Sequence, residues 1–176
     1  GQMRKGTEEQ KQNGTEIPYV SHLLGVSSLV LELGGTEDQA IAGLLHDAVE
    51  DQGGLKTLER IREHFGSDVA DIVDHCTDAY EEPKPEWRPR KEKYIAEIAN
   101  MPLEAKLVSC ADKLHNARAI LSDLREVGND LWSRFTGQKD GTLWYYRSLV
   151  DAFDQVFPSR LTDKLRRTVE EIDSLA

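Results

Sequence analysis

The chain of 176 residues has only two cysteines, Cys76 and Cys110. Two thiols in apolar helical surroundings give no disulfide framework, and they read as small buried hydrophobes in a reducing cytoplasm. No stretch approaches the apolar length of a membrane span, and nothing at the start resembles a signal peptide. Positive charge is short as well: 22 Lys and Arg stand against 32 Asp and Glu, a net charge of −10. That balance argues against a sequence-independent nucleic-acid binder, which needs a basic surface. It leaves room for a phosphorylated small molecule, which a few local cations can hold. Repeats, low-complexity tracts and convincing strand patterns are also missing. The expected fold class is therefore all-α, as one domain over residues 1–176. No feature of the sequence fixes an oligomeric state.

What is present is a succession of helical patterns. The chain opens abruptly at Gly1-Gln2-Met3-Arg4 without a helix start signal, which reads as the remainder of a helix beginning earlier. A polar loop covers Glu8 to Glu16, and Pro18 fits a first helical turn. The spacing predicts a helix over Tyr19 to Leu33, with apolar positions at Val20, Leu23, Leu24, Ser27, Val30 and Leu31. Gly34-Gly35 ends it, and Thr36 with Gln39 forms a capping box for the next helix, which closes at Gly53-Gly54. Shorter helices are expected over Thr57 to Phe65 and from Ser67 to about Thr77. Pro83, Pro85 and Pro89 make Asp78 to Pro89 a loop. Helices then follow over Arg90 to Asn100 and Pro102 to about Val127, the latter with a stripe of Leu103, Leu107, Cys110, Leu114, Ala117 and Leu121. A polar turn at Thr136 to Gly141 precedes a helix from Thr142 to about Val156; Pro158 breaks it, and a last helix ends at Leu175.

The stretch Leu44 to Asp51 carries the densest chemistry. It packs His46, Asp47, Glu50 and Asp51 directly after the apolar run Ala40 to Leu45. Helix interiors rarely bury charge unless it is paired or holds a metal. On one continuous helix, His46 and Glu50 share a face and Asp47 and Asp51 flank them. Asp112 stands in the otherwise apolar stretch Leu107 to Ala111, with His115 and Asn116 one turn on. With His22, His46 and Asp47, it completes a set of two imidazoles and two carboxylates drawn from three helices. Mixed nitrogen and oxygen donors suit a first-row divalent ion such as Mn, Fe or Zn. Four protein ligands leave an octahedral ion open to water and substrate.

The order His22, His46-Asp47, Asp112 resembles the H…HD…D pattern of HD-domain phosphohydrolases. The surrounding words are narrower: Arg4-Lys5-Gly6, LLHDAVED, Phe65-Gly66, and ADKLHNAR from Ala111 to Arg118. Together they resemble the hydrolase domain of RelA/SpoT-type enzymes, which remove the 3′-pyrophosphate from the alarmone (p)ppGpp. The resemblance runs from Arg4 to about Phe153 and leaves no room for a synthetase domain, as in a free-standing small alarmone hydrolase. It implies Mn2+ on His22, His46, Asp47 and Asp112. It further implies that Glu50 and Asp51 position and deprotonate the attacking water, and that Asn116 lies near nucleotide and nucleophile. Arg4 and Lys5 match nucleotide-contacting positions in that family. The basic segment with Arg88, Arg90 and Lys91 is expected to meet the leaving pyrophosphate.

Other residues carry plainer readings. His64 and His75 are surface or helix-end histidines; His115 is either a partner to Asp112 or helix surface. Trp132, Trp144, Tyr145 and Tyr146 are core aromatics, with one tyrosine a candidate for the ribose pocket. Arg147 is solvated, and Glu81 and Glu82 are loop charge. The rival functions are another HD phosphohydrolase activity, such as a nucleotidase or NADPH phosphatase, and a catalytically inactive nucleotide sensor. Glu50-Asp51 and Arg4-Lys5 favour the alarmone type. The sequence does not separate guanine from adenine alarmones.

Overall fold

The computed structural model describes residues 17–176, except for the side chain of Asp51. Arg4, Lys5 and the loop from Glu8 to Glu16 therefore lie outside the described residues. Among these, every regular element is helical: α1 (Val20–Glu32), α2 (Glu37–Leu45), α3 (Ala48–Asp51), α4 (Leu55–Phe65), α5 (Ser67–Cys76), α6 (Trp87–Ile98), α7 (Leu103–Val127), a 3₁₀ turn (Gly128–Arg134), α8 (Gln138–Val156) and α9 (Arg160–Leu175). None is long and apolar enough to cross a membrane.

The long α7 is the axis. It packs against α9, α1, α5 and α2. A helix covered on several sides must be apolar most of the way round, and α7 buries Ala105, Val108, Ser109, Cys110, Ala111, Leu114, Ala117, Ile120, Leu121 and Leu124. The small residues at 105, 110 and 111 let its neighbours approach closely. The expected stripe begins one position too early, because Leu103 stands exposed at the helix entrance. Cys76 and Cys110 are both free and buried, and burial pushes the Cys110 thiol up to about 12. Both are packing residues.

One expected boundary holds to atomic detail. Gln39 N–H donates to Thr36 Oγ1 at 3.2 Å, and Thr36 N–H donates to Gln39 Oε1 at 2.7 Å, so the capping box is complete. Four other readings need correction. First, the buried face of α1 is His22, Val26, Ser27, Leu29 and Val30, whereas Val20, Leu24 and Leu31 are exposed. The helix is rolled so that His22 points inward, and the apolar count alone could not register that. Second, the LLHDAVED stretch is not one helix: α2 stops at Leu45, His46 is its C-cap, and Asp47 leads into the short α3. Third, α6 begins at Trp87, with Pro89 tolerated in a first turn whose N–H groups need no partner. Fourth, α8 begins at Gln138, so the expected polar turn is limited to Thr136 and Gly137 and its remainder is already helical.

Candidate metal centre and adjoining cavity

Three elements deliver the inner group. His22 sits in the first turn of α1, His46 at the end of α2 and Asp112 in the middle of α7. All are buried, and one donor atom from each lies within 4.8 Å of the others. His22 Nε2 is 2.8 Å and His46 Nε2 is 3.0 Å from the same oxygen, Asp112 Oδ1. Asn116 Nδ2 donates to that oxygen at 3.3 Å, while Lys113 Nζ holds the other oxygen, Oδ2, at 3.1 Å. Burial pushes the Asp112 carboxyl up, but Lys113, His46 and His22 more than offset it and hold it well below the usual carboxylate range. For His46 burial disfavours the charged ring and Asp112 outweighs it, a net upward shift.

The donor chemistry fits a cation. His46 Nδ1 is 2.6 Å from the carbonyl of Gly43, an acceptor, so Nδ1 carries a proton. With no proton on Nε2, His46 turns that lone pair toward a carboxylate oxygen, a juxtaposition that a positive ion between them resolves. An Nδ1–H bonded to a backbone carbonyl is also how a metal-binding imidazole is commonly oriented. His22 has the equivalent support: its Nδ1 lies 2.7 Å from His115 Nδ1. Burial and the neighbouring His22 hold the His115 pKa down, and a neutral His115 with its proton on Nε2 can accept from His22 Nδ1 at that distance. His115 is thus a partner of His22, not of Asp112. Asp47 borders the group, with Oδ2 3.1 Å from His46 Nε2 and accepting the Tyr19 hydroxyl.

Glu50 is half-buried on α3, where it accepts the backbone N–H of Asp78 and lies 3.8 Å from Lys84 Nζ. Asp78 in turn pairs with Arg90 and, at 3.3 Å, with Lys91. Burial raises the Asp78 carboxyl, but Lys91, Lys113 and Arg90 together bring it below its ordinary value.

A cavity of about 340 Å³ opens beside this group, lined by Tyr19, Arg90, Lys91, Lys113, Asn116 and Tyr145 at the end near Asp112. Arg90 and Lys91 therefore stand together in the cavity lining. Arg88 is not in the lining; it is exposed, bonded to Glu92 at 2.9 Å and stacked 3.4 Å over the ring of Trp144. Trp132, Tyr145 and Tyr146 are buried, and both tyrosines reach the cavity wall. His64 and His75 are exposed, and Arg147 pairs with Asp173 on the surface. Lys113 and Tyr19 were missed by sequence reasoning. Lys113 adjoins Asp112 inside an apolar helix, which is the signal that could have found it: a lysine there needs a buried carboxylate.

A family model described as "HD domain" matches residues 3–143. Guanosine-3′,5′-bis(diphosphate) 3′-pyrophosphohydrolase MESH1 of Xenopus tropicalis is 38% identical over 131 residues, covering 73% of this chain and 68% of that protein. The enzyme of the same name from Mus musculus is 33% identical over 167 residues, 89% of this chain and 88% of that one. A solved metazoan ortholog of SpoT, described as hydrolyzing ppGpp, superposes with a TM-score of 0.76 at 28% identity, over 94% of this chain and 87% of that one.

Proposed function

The chain belongs to the HD-domain family, and from that premise we propose that it is a guanosine-3′,5′-bis(diphosphate) 3′-pyrophosphohydrolase, converting (p)ppGpp to GDP or GTP and pyrophosphate. The observation that carries this reading is that the buried His22, His46 and Asp112 group shares Lys113 and Asn116 with a cavity lined by cations. An anionic substrate with a phosphorus to be attacked needs both halves. The relatives' activity supports the same conclusion.

His22, His46 and Asp112, with Asp47 beside them, would hold a divalent ion, and Mn2+ suits the mixed nitrogen and oxygen donors. Such an ion supplies Lewis acidity to the phosphoryl oxygen and the attacking water. The chain's own residues do the rest. Glu50 is the general base, oriented by the Asp78 N–H and by Lys84, with Asp51 assisting from the same short helix. Water's oxygen bonds to phosphorus as its proton passes to the carboxylate, and the bond from phosphorus to the 3′-oxygen breaks, the 3′-oxygen leaving with the bonding pair and taking a proton from solvent. Arg90, Lys91 and Lys113 meet the diphosphate charge, and the buried Arg90 Nε, which has no hydrogen-bond partner among the described residues, is suited to take one of its oxygens. Asn116 bridges the metal group and the nucleotide. Arg4 and Lys5 are assigned to the nucleotide as well.

The test is incubation of metal-loaded protein with ppGpp, pppGpp, ppApp and NADPH, with products separated. Release of pyrophosphate from ppGpp supports the reading. Release of phosphate alone, from any of the four, replaces it with a phosphatase.

A further inference from the structure

The cavity carries a charge that phosphate binding does not explain. Beside the cations Arg90, Lys91, Lys113 and Arg134, its lining includes one anion among the described residues, Asp123. A carboxylate facing a cavity for a polyphosphate is unfavourable unless it meets hydrogen-bond donors. Asp123 and Arg134 face each other with Oδ2 and Nη1 3.6 Å apart, longer than a hydrogen bond. This differs from Arg147 and Asp173, which close at 2.8 Å. Both Asp123 and Arg134 therefore keep bonding capacity for a third group between or beside them.

Resting on the alarmone reading above, we propose that Asp123 and Arg134 recognise the base and select guanine over adenine. Guanine presents N1–H and N2–H donors next to the O6 and N7 acceptors. The carboxylate accepts the first pair and the guanidinium donates to the second. Adenine reverses both contacts, setting its N1 lone pair against the carboxylate and its N6 amino group against the guanidinium. Phe135, adjoining Arg134 in the lining, offers an apolar ring to the base.

The spacing agrees. Asn116, Ala119, Ile120 and Asp123 all line the cavity and share one face of α7. Asp123 lies about 16 Å along the axis from Asp112, at the helical rise per residue. That matches a nucleoside 3′-diphosphate laid along α7 with its reacting phosphorus at the metal end and the far edge of its base at Asp123.

The experiment compares kcat/KM for ppGpp and ppApp, and calorimetric binding of GDP and ADP, in the wild-type chain, Asp123→Asn and Arg134→Gln. The wild type should favour guanine roughly tenfold to a hundredfold, the range for one good bidentate base contact. Asp123→Asn should collapse or invert the preference, since an amide can donate to adenine N1 and accept from N6. Arg134→Gln should weaken guanine nucleotides while changing adenine nucleotides little. Equal binding of GDP and ADP by the wild type, or an unchanged ratio in both variants, overturns the proposal. A preference for GDP without cleavage of ppGpp would uphold the base assignment and sink the hydrolase reading instead.

Discussion

Gly25 offers a direct test of how the metal group is held. It sits inside α1, and a Cβ built there would overlap Nε2 and Cδ2 of His115, with Cε1 at 3.2 Å. Gly25→Ala must therefore swing the His115 ring away, and the 2.7 Å contact between His115 and His22 Nδ1 cannot survive the swing. The effect on folding is small by cancellation. Alanine gains about 1 kcal/mol over glycine in a helix interior, and the lost hydrogen bond costs about 0.5–1.5 kcal/mol. Metal affinity has no such offset. Removing the group that orients a ligating imidazole costs about tenfold to a hundredfold in affinity, or roughly 1.4–2.8 kcal/mol. Titration of Mn2+ into metal-free wild type, Gly25→Ala and His115→Phe should give a common weakening in both variants, with melting temperatures of the metal-free proteins nearly equal. Wild-type affinity in Gly25→Ala would refute the argument that His115 orients His22.

Four further outcomes follow from the geometry. Lys113→Met leaves Asp112 buried without its cation, so the metal-free protein should lose about 3–5 kcal/mol in denaturant unfolding, and added Mn2+ should restore part of it. Glu50→Gln keeps an acceptor for the Asp78 N–H, so turnover should fall about a hundred- to ten-thousandfold with metal content unchanged; loss of metal in parallel would make Glu50 a ligand. Arg90→Ala should lower kcat/KM for the alarmone by roughly tenfold to a hundredfold, whereas Arg88→Ala, stacked on Trp144 and outside the cavity lining, should stay near wild type; the reverse ranking would relocate the diphosphate. Asp78 is held below its ordinary value, so its stabilising effect is complete above the unfolded carboxyl pKa and is lost as pH falls through the lower folded value. Asp78→Asn should flatten that acid limb of the stability curve, and an unaltered limb would remove Asp78 from the account.

Most of the helices were legible because glycine, proline and capping residues punctuate the chain: Thr36 with Gln39, Gly66, and Pro158 each mark an end found in the structure. The convergence of His22, His46 and Asp112 was legible for a different reason: each is a polar group in an apolar run. What escaped the sequence depends on helix rotation and on contacts between elements. The roll of α1 is set by His22 reaching Asp112, ninety positions away, and no window of local hydrophobicity contains that contact. The break at His46 was hidden because the residues on either side are ordinary helix formers. The division between Arg88 and Arg90 was likewise invisible, since two residues along a helix separate a stacked surface guanidinium from one that lines the cavity.

Asp78 has a consequence for the timing of catalysis. Its backbone steadies Glu50 while its carboxylate occupies Arg90 and Lys91. Under the proposed function, an incoming diphosphate would compete for those two cations with a carboxylate that already holds them. Whatever loosening that exchange causes is felt first by the peptide unit against which Glu50 rests. On the proposed assignment, the base and the cations that meet the substrate's charge are thus tied to opposite ends of one residue, its backbone N–H and its carboxylate.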